Sequence, residues 1–373
     1  MSEQPTALPQ AILDALACSR FLRRQLDSRS WLAARLALSI DAPLDATALR
    51  DFLRDEKIDD NSLKPVLRKL RAWVICHVLV RDIARLADLT EVTETMTLLA
   101  DIAVETAHDI LRQQLVARHG VPVSADGREQ EFVIIGMGKL GGRELNVSSD
   151  IDLIFVYPED GSTAGPRVID NFEFFTKLGK GLIQALNDIT GDGQVFRVDM
   201  RLRPNGDSGP LVGSFDMLEN YFITQGREWE RYAWIKARVM TGIRGAELTA
   251  IARPFIFRKY LDFGAINAMR DLHAQIRREV ARKDMANNVK LGPGGIREIE
   301  FLAQVFQLIR GGRDTTLQIK PTLKVLARLA ERAIITPEAE RELSVAYDFL
   351  RRGEHRLQYP DDAHTHHLPG HHA

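Results

Sequence analysis

The sequence has 373 residues, of which 45% are hydrophobic and 27% charged, a composition typical of globular proteins with a buried core. Its 50 basic and 51 acidic side chains leave a net charge of −1, so there is no electrostatic basis for general nucleic-acid binding. No run reaches the ~20 apolar residues of a membrane span, and the N-terminus lacks a signal-peptide pattern. Cys18 and Cys76 form neither a disulfide framework nor a zinc spacing. We expect a cytoplasmic protein of roughly two or three domains, with no nucleic-acid partner and no membrane association.

Residues 1–122 carry the pattern of an N-terminal helical domain. Apolar side chains recur at three- and four-residue spacing between charged ones, for example at Leu67, Leu70 and Val74. Turn residues rich in Asp interrupt the pattern twice. The region is therefore predicted to form a helical bundle.

The pattern changes over residues 123–250, which predict a catalytic domain with a small mixed sheet. A break rich in turn residues covers 119–130. Three β-rich runs follow at 132–135, 151–157 and 195–203. A helical pattern over 171–186 lies between the second and third runs, and Ser214 is placed to cap another helix.

The rest of the chain is predicted to be helical again. Residues 251–360 predict a C-terminal helical bundle, interrupted by a Gly-Pro-Gly-Gly turn at 292–295 that suits a helix start before Glu298 and Glu300. The histidine-rich tail, 361–373, has no periodicity; its histidines could bind a metal, but a disordered or artificially added end is the preferred interpretation. Together the segments predict a mostly helical α+β fold.

A glycine-rich turn over residues 136–142 follows the first β-rich run. It matches G-x-G-x-x-G, but a dinucleotide-binding fold needs a helix after the turn and an acidic residue about twenty positions on. Here Asp150 and a second β-rich run come too soon. A P-loop needs Ser or Thr after its lysine, and Leu140 follows Lys139. The dinucleotide site is thus disfavoured and the P-loop is excluded.

The same turn can present backbone N–H groups to phosphate oxygens, because glycine permits close approach and positive φ. Hydroxyl groups shortly downstream can add further contacts. A bare connection between two strands is the alternative interpretation. The predicted nucleotide- or phosphate-binding residues of this segment are Gly138, Lys139, Gly141, Gly142, Ser148 and Ser149.

Two carboxylates, Asp150 and Asp152, stand two positions apart at the start of the second β-rich run. On a strand they would project from the same face. Their neighbours are apolar, and buried like charges are costly unless a cation neutralises them. Carboxylate oxygens beside a phosphate-binding turn suit Mg²⁺. The alternative interpretation is that both carboxylates lie at a solvent-exposed end of the strand and bind no metal.

The third β-rich run, 195–203, alternates apolar residues with charged ones. Asp199 lies on the charged face and can complete a triad with Asp150 and Asp152 as catalytic and metal-binding residues. Arg201 and Arg203 share that face and can bind phosphate oxygens in a bidentate manner. A half-exposed strand with a salt-bridged face remains the alternative, and the segment 227–231 is interpreted as a salt-bridged helix.

Five segments together, 136–157, 197–204, 208–212, 225–238 and 292–301, resemble the glutamine-synthetase adenylyltransferase family. This is a branch of the DNA polymerase β-like nucleotidyltransferases. Its members are bifunctional: an N-terminal domain removes AMP from a tyrosine of glutamine synthetase by phosphorolysis, giving ADP, and a C-terminal domain adds AMP from ATP. The sequence is similar to the first half, so we expect part of a longer enzyme.

The resemblance implies a polymerase β-like domain flanked by helical bundles, with two Mg²⁺ ions on Asp150, Asp152 and Asp199. Inorganic phosphate would attack the phosphorus of adenylyl-O-tyrosine, with Arg201 and Arg203 holding phosphate or AMP. The implied partners are adenylylated glutamine synthetase, phosphate and ADP, with regulation by the PII signal protein possible. Two rivals stay open: a forward transferase that adds AMP or UMP to a protein, and a nucleotide-binding regulatory module without catalysis.

Overall fold

The computed structural model of the chain describes residues 8–59, 61–259, 274, 285 and 287–369. Parts of the predicted C-terminal bundle and the last four tail residues lie outside the described residues. The described part is mostly helical and contains a small mixed sheet, which confirms the predicted α+β fold class. None of its helices combines the length and apolarity that a bilayer crossing requires.

The N-terminal region is helical, as its periodicity predicts. Its helices are α1 (Gln10–Cys18), α2 (Arg20–Ser28), α3 (Ser30–Ser39), α4 (Ala46–Asp55), α5 (Leu63–Ile83) and α6 (Leu89–His119). Asp45 and Asp88 cap α4 and α6 by accepting backbone N–H bonds, which satisfies donors that a helix start leaves unpaired. Leu67, Leu70 and Val74 on α5 are fully buried, so this helix forms the centre of the bundle.

The strands form two sheets in the described residues. They are β1 (Val121–Ser124), β2 (Val133–Gly136), β3 (Ile151–Tyr157), β4 (Gly161–Ala164), β5 (Val198–Asp199), β6 (Val212–Ser214) and β7 (Arg238–Val239). The larger sheet has the order β5-β3-β2-β7, and β6 joins the same edge of β3 as β5, further along the strand. β1 pairs with β4 in a separate ribbon. Strand β1 lies inside the segment predicted as a break, because its four-residue run alternates too briefly to stand out from the turn residues around it.

Eight further α-helices follow in the described residues. They are α7 (Gly138–Gly141), α8 (Asn171–Asn187), α9 (Phe215–Thr224), α10 (Glu228–Trp234), α11 (Gly245–Ile256), α12 (Ile296–Arg310), α13 (Thr322–Glu331) and α14 (Pro337–Gln358). The last two pack with α12 in a hydrophobic cluster separate from the sheet. The predictions of α8, of Ser214 as the cap of α9 and of a helix start at Gly295 are confirmed. In α10 the predicted salt bridge is also present, between Arg231 and Glu228.

The two faces of the sheet belong to two different hydrophobic clusters. Ile134, Leu153 and Phe155 pack into a core shared with α8 and the N-terminal helices. The opposite face, with Ile154 and Val156, packs against α9, α10 and α11. The N-terminal helices and the sheet thus share one continuous core, and whether residues 1–122 fold on their own stays a prediction.

The predicted strand over 195–203 is wrong in length. Ladder pairing is limited to Val198 and Asp199, which face Ile151 and Asp152 of β3. The chain then turns, because the Asp199 carboxylate accepts the Arg201 backbone N–H at 2.8 Å and Pro204 removes a later donor. The alternation predicted beyond Asp199 is therefore lost.

Candidate active site

Two of the predicted carboxylates lie side by side on neighbouring strands. Asp152 on β3 and Asp199 on β5 are direct partners in the parallel register. Asp150 comes one residue before β3 begins, so it lies beside this pair but not on the strand itself. Burial, reinforced by the charges of Asp199 and Asp150, raises the pKa of Asp152 to about 6. The three carboxylates therefore form one electrostatically coupled group.

The glycine-rich turn places backbone directly against this group. Gly138 has φ +53°, and a Cβ added there would lie 2.8 Å from Oδ2 of Asp152. A side chain at this position would be strained and would crowd the carboxylate. Gly138 therefore leaves open the space in front of Asp152, at the first residue of the short helix α7.

The other glycines of the turn have a packing role. A Cβ on Gly141 would collide with the backbone oxygen of Lys236, and one on Gly142 would crowd the side chains of Lys236 and Glu144. The buried Lys236 ammonium pairs with Glu144 and lies 3.0 Å from the Thr322 hydroxyl. These two glycines admit a buried polar contact between the turn and α13. Their predicted contact with phosphate stays a prediction.

Lys139 is paired across the molecule. Its ammonium lies 3.1 Å from Oε2 of Glu354 on α14, a carboxylate with a fully buried side chain. Burial lowers the pKa of Lys139 to about 8, so the lysine is still charged at neutral pH. Burial opposes the ionisation of Glu354, but Lys139, His366 and Arg351 hold its pKa well below the usual range. Lys139 therefore needs to leave a buried ion pair before it can bind a phosphate.

The two serines differ in their surroundings. Ser148 is buried; its hydroxyl donates to the Asp362 carbonyl at 3.2 Å and its N–H donates to the Gln358 side chain at 3.3 Å. Ser149 lies half-buried directly before Asp150. Ser148 thus connects the site to the chain after α14, and its predicted contact with nucleotide stays a prediction.

Each outer carboxylate of the site is paired with an arginine. Arg197 donates to Asp150 through Nε, and Arg201 donates to both oxygens of Asp199. The hydrogen bond from Arg201 lowers the pKa of Asp199 below its ordinary value, against the effect of partial burial. Asp152 faces the site without an arginine partner of its own among the interactions described. The cluster therefore combines one carboxylate whose ionisation is opposed by burial with two carboxylates that are paired with arginines.

Arg203, the last predicted phosphate ligand, faces a different space. Its Nη1 donates to the Met200 carbonyl at 2.8 Å, and the side chain lines a cavity of about 310 Å³ between the loop after β5 and helix α9. Val156 also lines this cavity and shares a strand face with Asp152, four residues away. The charge of Arg203 nevertheless lowers the pKa of Asp199, so Arg203 stays close to the carboxylates, and its contact with phosphate stays a prediction.

The donor set fits Mg²⁺ in its chemistry, since three carboxylates and an open backbone turn offer hard oxygen ligands. Within the described residues, however, no three acidic, histidine or cysteine side chains converge in a geometry that could hold a metal ion. Arg197 donates to one oxygen of Asp150, and Arg201 donates to both oxygens of Asp199. A metal ion could bind these three oxygens only if the guanidinium groups moved.

Sequence reasoning missed several groups around the site. Arg197 lies in the run 195–203, whose alternation of apolar and charged residues does not indicate it as the partner of Asp150. Glu354 and His366 come from the end of the chain, and Lys290 acts electrostatically on Asp152. Only the histidine-rich composition of the tail gave any local signal, because the contacts of Asp150 with Arg197 and of Lys139 with Glu354 join residues 47 and 215 positions apart.

Two family models of known proteins match this chain. Residues 10–253 match the family model described as glutamate-ammonia ligase adenylyltransferase, and residues 270–373 match that of the PII-uridylyltransferase GlnD. Glutamate-ammonia ligase is another name for glutamine synthetase. The first of these matches covers the turn, all three carboxylates and both arginines of the site.

Relatives described as bifunctional glutamine synthetase adenylyltransferase/adenylyl-removing enzymes are similar over almost the whole chain. The protein of Aromatoleum aromaticum is 68% identical over 370 residues, 99% of this chain and 39% of the relative. That of Chromobacterium violaceum is 54% identical over 367 residues, 98% of this chain and 41% of the relative. The chain thus spans about two fifths of the length of these curated relatives. On this evidence it belongs to the glutamate-ammonia ligase adenylyltransferase family.

Proposed function

We propose that this chain removes AMP from an adenylylated tyrosine of glutamine synthetase by phosphorolysis, giving ADP and the unmodified tyrosine. The observation that carries the proposal is the register pair Asp152 and Asp199 with Gly138 open in front of it. The printed names of the relatives include both adenylyl transfer and adenylyl removal. The motifs at 208–212 and 225–231 resemble the removing half.

The proposed reaction exchanges one phosphorus–oxygen bond for another. An oxygen of inorganic phosphate forms a bond to the AMP phosphorus while the bond to the tyrosine oxygen breaks, and the tyrosinate then takes up a proton. Mg²⁺ held by Asp150, Asp152 and Asp199 would supply charge neutralisation for the attacking and leaving oxygens. Catalysis by the protein rests on positioning and on charge stabilisation.

The protein's own residues have separate tasks in this scheme. Gly138 leaves room for a phosphate group beside Asp152. Arg201 has a side chain that is 73% exposed, so it can exchange its bond to Asp199 for one to an incoming phosphate. Asp152 must lose its proton before it can bind a cation. Because its pKa is raised to about 6, cation binding should be favoured above pH 6 and opposed below it.

The decisive experiment mixes the chain with adenylylated glutamine synthetase, inorganic phosphate and Mg²⁺, and separates the released nucleotides by chromatography. ADP as the main product supports phosphorolysis, whereas AMP would show hydrolysis by water. Transfer of label from ATP onto unmodified glutamine synthetase, at a comparable rate, would show that the chain carries the forward activity. Absence of turnover in both assays, with nucleotide still bound, would favour a regulatory module.

Two variants make the assay specific for the site. Asp152→Asn should abolish turnover, because it removes the carboxylate at the centre of the cluster. Asp109→Asn removes a carboxylate on α6 whose side chain is 60% exposed, and it should leave turnover unchanged. Equal activity of the two variants would contradict the assignment of the site.

A further inference from the structure

The segment after α14, residues 361–368, forms a strap that contacts the candidate active site at Ser148 and Asp150. Near its start, the Asp362 carbonyl accepts the Ser148 hydroxyl at 3.2 Å. At its far end, the His366 carbonyl accepts the Val289 N–H and the Leu368 N–H donates to the Asn287 carbonyl, both at 2.9 Å. His367 also forms an isolated antiparallel bridge with Asn288. The strap is thus held by hydrogen bonds near both of its ends, and the disordered or added end stays a prediction for the tail as a whole.

Two imidazole rings of the strap face each other. The Nε2 atoms of His364 and His366 are 3.2 Å apart, and the rings meet edge to face. The opposite nitrogen of each ring faces a carboxylate. Nδ1 of His366 lies 2.9 Å from Glu354, and Nδ1 of His364 lies 3.9 Å from Asp150.

Glu354 and the hydrogen bond between the rings indicate where the ring protons lie. The fully buried Glu354 side chain lies 2.9 Å from Nδ1 of His366 and favours a proton on that nitrogen. Nε2 of His366 is then free to accept an N–H from Nε2 of His364 at 3.2 Å. A metal ion that replaced this shared proton would accept a lone pair from each Nε2, and the His364 proton would move to Nδ1, which faces Asp150.

We propose that His364 and His366 bind a transition-metal dication of the Zn²⁺ class through their Nε2 atoms. Imidazole nitrogen is a preferred ligand of Zn²⁺ at about 2.0–2.1 Å, so two ligands of a tetrahedral ion stand about 3.3 Å apart. The pair already has this spacing. Glu354 on Nδ1 of His366 is the outer carboxylate that commonly orients a metal-binding histidine.

This site differs from the predicted Mg²⁺ site in its ligand chemistry. Nitrogen ligands select Zn²⁺-class ions, whereas the carboxylates of Asp150, Asp152 and Asp199 select Mg²⁺. Among the described residues no third histidine, cysteine or carboxylate converges on the pair, so water would complete the coordination. The proposal does not depend on the direction of the nucleotidyl transfer or on its occurrence.

The test is calorimetric titration of the chain with Zn²⁺ in a large excess of Mg²⁺, which saturates oxygen-only sites. The expected result is one Zn²⁺ bound by the unmodified chain. His364→Ala and His366→Ala should each weaken this binding at least about tenfold, as the loss of one of two protein ligands predicts. His364→Gln should weaken it too, and its side chain is 36% exposed, so the fold should be kept.

Three neighbouring histidines serve as matched controls. His367→Ala removes a ring whose Nε2 contacts the Asn288 amide at 3.1 Å, and it should leave Zn²⁺ binding unchanged. Joint replacement of His371 and His372 by alanine should also leave it unchanged. The proposal is overturned if the unmodified chain does not bind Zn²⁺, if His364→Gln binds it normally, or if a control variant loses the binding.

Discussion

Asp150 and Arg197 are joined by a direct ion pair, although 47 residues separate them in the sequence. The same guanidinium donates through Nη2 to the Ser148 carbonyl at 2.7 Å. Arg197 therefore holds the segment before β3 by both its backbone and its carboxylate. Asp150 cannot offer that oxygen to a cation until the guanidinium moves.

Arg197→Gln should tighten the binding of Mn²⁺, used as a probe for Mg²⁺, in the absence of substrate. The two side chains are 39% and 33% exposed, and an ion pair of this kind is worth at most about 1 kcal/mol. The expected gain is therefore at most about fivefold, measured by electron paramagnetic resonance. Arg29→Gln, which breaks the pair with Asp192 instead, is the control. Weaker Mn²⁺ binding in Arg197→Gln would show that the arginine positions Asp150 for the metal.

Asp152→Asn should stabilise the metal-free protein at neutral pH. The rise in pKa of Asp152 from 3.8 to about 6 corresponds to about 3 kcal/mol of cost when the carboxylate is ionised. The folded state binds this proton more tightly than the unfolded state, so wild-type stability falls as pH rises from about 4 to 6. In urea unfolding, the variant should have a higher free energy of unfolding than the wild type at pH 7 but not at pH 4. An equal advantage at both pH values would mean that charge is not its cause.

Lys139→Met should destabilise the fold by about 3 kcal/mol, because it leaves the buried Glu354 carboxylate without its nearest cation. The double variant with Glu354→Gln should lose less than the sum of the two single changes, since it removes both charges together. Lys177→Met breaks the exposed pair with Glu173 and should cost at most about 0.5 kcal/mol. Denaturant unfolding measures all four proteins, and additive losses would show that the pair is not coupled.

Arg201→Ala should raise the apparent KM for phosphate by about tenfold, since a charge-assisted bidentate contact is lost. Arg201→Lys should recover only part of this loss, because an ammonium group cannot form the planar fork. Removing Arg201 also raises the pKa of Asp199 towards its ordinary value. As the pH is lowered, Asp199 of the variant is then protonated sooner, so activity should begin to fall at a higher pH than in the wild type. Phosphate titrations at several pH values measure both effects. An unchanged KM and pH profile would show that Arg201 is a surface residue that does not bind phosphate.

Local patterns predicted the parts of the fold that local interactions decide. The apolar spacing of α8, the cap at Ser214 and the buried strand β3 depend on residues within one or two turns of each other. The strand predicted around Asp199 was too long. The Asp199 carboxylate accepts the Arg201 N–H and starts a turn, but an alternation of apolar and charged residues looks the same in a turn of this kind as in a strand. The short strand β1 was missed, since its pairing partner β4 lies about 40 residues away.

By itself the sequence determined that the carboxylates at 150, 152 and 199 follow a glycine turn in a mostly helical chain, since spacing and composition are local properties. The tertiary structure decided which charges meet. Asp150 meets Arg197, Lys139 meets Glu354 215 positions away, and His366 meets that same carboxylate. No sequence spacing encodes these contacts, because they depend on how the helices and the sheet share their cores. Burial then sets the pKa of each group and decides which of them are free to bind a ligand.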